Sequence, residues 1–92
     1  MFLGVYHFDG DPAALLPAYD RLMAGFPPEQ IALHACVLRD NGISVYDSCP
    51  SREDFVAFSG GDGFRGAVAA AGLPEPRVEQ LGEVHTREMV AR

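Results

Sequence analysis

The stretch Ile31-Ala32-Leu33-His34-Ala35-Cys36-Val37-Leu38-Arg39-Asp40-Asn41-Gly42-Ile43-Ser44-Val45-Tyr46-Asp47-Ser48 decides the fold of this 92-residue chain. Two runs rich in apolar residues flank Asp40-Asn41-Gly42, and Asn-Gly accepts the positive φ angles of a tight hairpin turn. Residues 31–39 and 43–48 are therefore read as antiparallel neighbours. A two-residue loop at Asn41-Gly42 sets Asp40 opposite Ile43. That register, like a four-residue loop, puts His34 and Cys36 on one face with Val45, Asp47 and Cys49. A three-residue loop would separate them. The other face carries Ile31, Leu33, Ala35, Val37 and Tyr46, which suits packing beneath helices.

Working outward, Met1 to Phe8 is aromatic and branched and is closed by Asp9-Gly10-Asp11-Pro12, which predicts a first strand. Asp11 can cap a helix with Pro12 at its first position, where a missing N–H is harmless. Leu15, Tyr19, Leu22 and Phe26 follow at helical spacing, with Leu16 and Met23 alongside. Pro17 is expected to kink this helix or delay its start, and Gly25-Phe26-Pro27-Pro28 to end it. On the other side of the hairpin, Ser51 with Asp54 three residues on resembles a capping box. Phe55 and Phe58 supply an apolar turn, Ser59-Gly60-Gly61-Asp62-Gly63 interrupts it, and Phe64, Val68 and Ala71 resume it. Gly72 with Pro74 is a stop. Residues 77–86 form a fourth strand, with Gly82 at a bulge.

The expected order is β-α-β-β-α-β, the ferredoxin-like plan of the α+β class. Right-handed crossovers then place two helices on one face of a four-stranded antiparallel sheet, with residues 1–92 as one domain.

Composition narrows the function. Net charge is −6, with 13 acidic against 7 basic residues and no basic cluster, which argues against nucleic-acid binding. No apolar run approaches the ~20 residues of a membrane span. The first residues lack a basic leader, and the two cysteines fit free thiols in a reducing, cytoplasmic setting. Strands apolar on both faces argue that the helix-free face is buried too, and a homodimer is the expected partner.

Asp40-Asn41-Gly42 leading into Val45-Tyr46-Asp47-Ser48-Cys49-Pro50-Ser51-Arg52-Glu53-Asp54-Phe55, and Gly72-Leu73-Pro74-Glu75-Pro76 before a strand ending Val84-His85, resemble the dimeric α+β barrel superfamily. That superfamily includes antibiotic-biosynthesis monooxygenases. The resemblance covers nearly the whole chain and implies the fold, whereas the superfamily hosts oxygenases, haem-degrading enzymes, isomerases, cyclases and proteins without known activity. Cys49 stands where the family carries a tryptophan on which haem degradation relies, so that activity loses support.

His34 and Asp47 are the expected catalytic pair: the carboxylate orients the imidazole as a general base. Cys36, Cys49, Val45, Leu38, His7 and His85 are the expected substrate-binding residues around a cavity on the helix-free face. Cys36 and Cys49 read as small core hydrophobes, and as a thiol nucleophile Cys49, just before the second helix, is the better placed of the two. Zinc through His34, Cys36 and Cys49 has a suitable ligand mix without a recognised spacing, and neither a metal nor a cofactor is expected. Two functions follow. One is a cofactor-independent monooxygenase- or cyclase-type enzyme acting on a small apolar or aromatic metabolite. The other is a non-catalytic binding or accessory dimer.

Overall fold

A computed structural model describes residues 1–26 and 31–89. Strand β1 (Phe2–Asp9) leads through helix α1 (Pro12–Ala24) to the hairpin of β2 (His34–Arg39) and β3 (Gly42–Cys49). Helices α2 (Arg52–Ser59) and α3 (Asp62–Ala71) follow, then β4 (Arg77–Glu83). The sheet order is β2-β3-β1-β4, with every neighbouring pair antiparallel. β3 thus lies between β1 and β2, and β1 between β3 and β4. This α+β arrangement is compatible with the ferredoxin-like plan.

Local chemistry sets most boundaries. The Asp11 carboxylate accepts from the Ala13 N–H and Pro12 opens α1. Pro17 does not delay the start of the helix, which begins at Pro12. The Pro17 ring is exposed, and it forfeits one intrahelical bond to the Ala13 carbonyl, so α1 runs on unbroken. The Pro27-Pro28 part of the expected helix stop lies outside the described residues. Ser51 caps α2 by accepting from the Asp54 N–H. The Gly60-Gly61 break is complete, giving three helices rather than two. Gly72 ends α3 at φ 90°, a left-handed cap that suits glycine. At the β1–β4 register shift Leu3 pairs with Gly82 and Gly4 with Gln80, which leaves Leu81 as the bulged residue.

The hairpin turn falls one residue earlier than expected. Arg39 pairs with Gly42, so the loop is Asp40-Asn41, and neither Asn41 nor Gly42 has a positive φ. Gly42 serves a different purpose: a Cβ there would collide with the Phe8 carbonyl oxygen and the Arg39 guanidinium. The shift preserves parity, so His34 and Asp47 remain on one face, now directly opposite each other.

That face is the one the helices cover. The cross-strand pairs Phe8–Ile43 and Tyr6–Val45, with Phe2 beside them, join Leu15, Leu22, Phe55, Phe64 and Val68 in one core. The expected orientation, with Ile31, Leu33, Ala35, Val37 and Tyr46 beneath the helices, is therefore reversed for the strand residues Ala35, Val37 and Tyr46, while Ile31, ahead of β2, does reach the space beneath the helices. The central strands β1 and β3 supply the large buried side chains. β2 is an edge strand, with Ala35 exposed and Val37 45% exposed on the helix-free side.

Candidate functional site

His34 begins β2 and Asp47 lies opposite it on β3. Burial strips water from the Asp47 carboxyl and pushes its pKa up, while the bond from His34 pulls the other way. His34 Nδ1 is hydrogen-bonded to Asp47 Oδ1, and their side chains are only 11% and 17% exposed. The second imidazole nitrogen, Nε2, lies 2.5 Å from the Tyr19 hydroxyl of α1, with the two rings stacked at an interplanar angle of 10°. With Nδ1–H donating to the carboxylate, Nε2 accepts the Tyr19 proton, so three elements share one chain of hydrogen bonds. Desolvation and nearby Cys36, Asp47 and Asp20 push the Tyr19 pKa up to about 12, so its hydroxyl keeps its proton at neutral pH.

The second Asp47 oxygen, Oδ2, has no hydrogen-bond partner among the described residues. Asp47 and Tyr19 both line a pocket of about 240 Å³ between the sheet and the helices. Aromatic rings wall it in sequence: Phe26 against Phe58 at 5.9 Å, Phe58 against Phe64 at 5.0 Å, and Phe64 against Tyr6 at 4.8 Å. Val45, Leu22, Met23 and Ile31 complete an apolar lining.

The expected binding residues separate into three groups. Val45 and Cys49 line this pocket. Cys36 packs against the core on the same face, and Leu38, 58% exposed, lies further along β2. His7 is on the opposite face, where Nδ1 lies 2.8 Å from Ser44 Oγ and Nε2 lies 3.1 Å from Glu79. His85 is exposed beyond the end of β4. The pocket within one chain lies beneath the helices, not on the helix-free face, and His7 and His85 lie outside it.

Both thiols are free. Burial, then nearby acids, raises the pKa of each, which argues against Cys49 as a thiolate nucleophile. Among the described residues no three His, Cys, Asp or Glu side chains gather as a metal site.

In the sequence Tyr19 belongs to an apolar helical stripe, and its bond to His34 is visible only in the fold. The available signal was a phenol on an otherwise apolar helix face, since a buried hydroxyl usually finds a partner. Tyr6, on β1, also reaches the pocket.

Comparison of this chain with protein-family models, with curated proteins and with solved structures found no match. Among the described residues no helix is long and apolar enough to cross a membrane.

Proposed function

We propose that this chain is a small-molecule-binding homodimer of the ferredoxin-like, dimeric α+β barrel kind. Its pocket beneath the helices takes a small, largely apolar molecule and its Asp47–His34–Tyr19 chain moves a proton there. The reading keeps the cofactor-independent monooxygenase- or cyclase-type chemistry expected from the sequence, in which proton abstraction activates the substrate. The observation that carries it is a hydrogen-bonded Asp–His–Tyr chain meeting an otherwise apolar pocket.

The roles follow from position. Asp47 Oδ2 faces the pocket and accepts the proton, and burial makes this carboxylate a stronger base than an exposed one. His34 is the positioning residue. It holds the carboxylate through Nδ1–H, while Nε2 accepts from the Tyr19 hydroxyl and fixes the ring, so the substrate proton comes to rest on Asp47.

Base-promoted ring opening of 1,2-benzisoxazole tests this. Loss of its C3 proton breaks the N–O bond and yields 2-cyanophenolate, followed by absorbance. The wild type should outpace acetate at equal carboxylate concentration by about a hundredfold or more, the range of positioned general-base catalysis, and Asp47→Asn should abolish the gain. A wild-type rate no greater than acetate's would overturn the catalytic reading.

The non-catalytic binding or accessory dimer has one observation in its favour. Every fully buried side-chain nitrogen and oxygen among the described residues is hydrogen-bonded, as in a structural network. On that reading His34→Ala changes no rate and lowers the melting temperature by roughly 4–8 °C for each kcal/mol lost.

A further inference from the structure

We propose that the pocket beneath the helices is built for a small organic ammonium ion carrying an aromatic or compact apolar group, an inference that rests on this pocket being a ligand site. The charge pattern points to it. Asp47 is the only charged residue lining the pocket among those described; neither lysine nor arginine joins it. One carboxylate oxygen is held by His34 and the other has no hydrogen-bond partner among the described residues. Carboxylate and phosphate ligands would meet like charge in a water-poor space, which disfavours them strongly. A ligand N–H⁺ group does the opposite. It occupies the open Oδ2 acceptor and offsets the desolvation that holds this carboxyl above its usual range.

A second polar group points independently to a ligand. Tyr6 is 2% exposed and lines the pocket, yet its hydroxyl has no hydrogen-bond partner among the described residues. Burial first, then the nearby Asp47, raises its pKa, so it is a neutral phenol that can accept from a ligand N–H. Every fully buried side-chain oxygen among the described residues is hydrogen-bonded, so the Tyr6 oxygen is still reachable, and the pocket it lines is the open side from which a partner can come.

The wall matches the remainder of such a ligand. The faces and edges of Phe26, Phe58, Phe64, Tyr6, Phe8 and Tyr19 line the space. Aromatic rings around a desolvated cation attract it through their quadrupoles, and a neutral alcohol gains nothing from that effect. At roughly 30 Å³ per water-sized unit, about 240 Å³ holds about eight non-hydrogen atoms, the size of benzylammonium.

The test uses three probes of nearly equal size on the intact protein at neutral pH: benzylammonium, benzyl alcohol and benzoate. Amide NMR shifts at Val45, Cys49 and Phe64 report pocket occupancy. Benzylammonium should bind at least tenfold more tightly than benzyl alcohol, with benzoate weakest. Asp47→Asn should erase the preference for the cation, bringing benzylammonium down to the affinity of benzyl alcohol. Tyr6→Phe, which keeps the ring, should weaken benzylammonium several-fold. Benzyl alcohol binding as tightly as benzylammonium would overturn the ammonium assignment while leaving the pocket as a ligand site. No pocket shift with any probe would overturn both.

Discussion

At the scale of the residue, two glycines of similar appearance do opposite things. Gly4 lies on the helix-covered face of β1, where an added Cβ would collide with the ring of the fully buried Phe55, 2.1 Å from two of its atoms. Phe55 cannot yield without losing its contacts to Phe2 and Tyr6, at 5.7 and 5.5 Å between ring centroids. Gly4→Ala should therefore destabilise by about 1–3 kcal/mol through overpacking. Gly66, in the middle of α3, has nothing within 4 Å of its would-be Cβ. Gly66→Ala should stabilise by about 0.5–1 kcal/mol, because alanine has the higher helix propensity. Urea unfolding of both variants checks the pair, and a mild effect at Gly4 would show that Phe55 has room to move. His34, Asp47 and Tyr19 obey a related logic. Polar groups are tolerated beneath the helices because each has a partner there.

At the scale of the element, the end of β1 is tied to both hairpin and final strand through Asp9. Its carboxylate accepts two bonds from Arg77, at 2.9 and 3.0 Å, and one from Arg39 at 3.3 Å. The Arg77 bonds, assisted by Arg39, lower its pKa from 3.8 to about 2. A depressed carboxylate contributes stability that is present above its unfolded pKa and lost as pH falls through the folded one. The contribution should hold down to about pH 4 and vanish between pH 4 and 2. Asp9→Asn should flatten that part of the stability profile, measured by denaturant midpoints across the acid range. An unchanged acid slope would show that solvent screens this exposed cluster completely. The same cluster clarifies the hairpin. Arg39 reaches across to Phe8 and Asp9, and Gly42 leaves room for that crossing. Asn-Gly marked a turn correctly, while the long-range contact with β1 chose its position.

At the scale of the whole molecule, the helix-free face mixes apolar and polar groups. Ala35, Val37, Tyr46, Leu3 and Val5 share it with the His7, Ser44 and Glu79 network. Partial exposure of Val37 and Ala35 supports the proposed homodimer through this face. Light scattering at micromolar concentration should give twice the chain mass, and Val37→Glu should return it to the monomer. A monomeric wild type would remove the dimer without touching the pocket, which lies entirely within one chain.

Read alone, the sequence determined the elements and their local chemistry. The Asp11 and Ser51 caps, the Gly60-Gly61 break and the Gly72 stop all rest on contacts within a few residues. It also determined that His34 and Asp47 share a face, because strand alternation and loop parity are local properties. Only the tertiary structure decided which face meets the helices. Alternation tells which side chains lie together but not what covers them. The apolar run of β2 suggested the wrong side because nothing local marks it as an edge strand. Its cover was settled by β1 and β3, where Phe2, Tyr6 and Phe8 align with Ile43 and Val45 across some forty residues of sequence. The same long-range packing brings Tyr19 of α1 to His34 and walls the pocket with aromatic rings. The site is thus assembled from residues whose proximity depends on how the layers close, and that closure depends on the packing of the whole core.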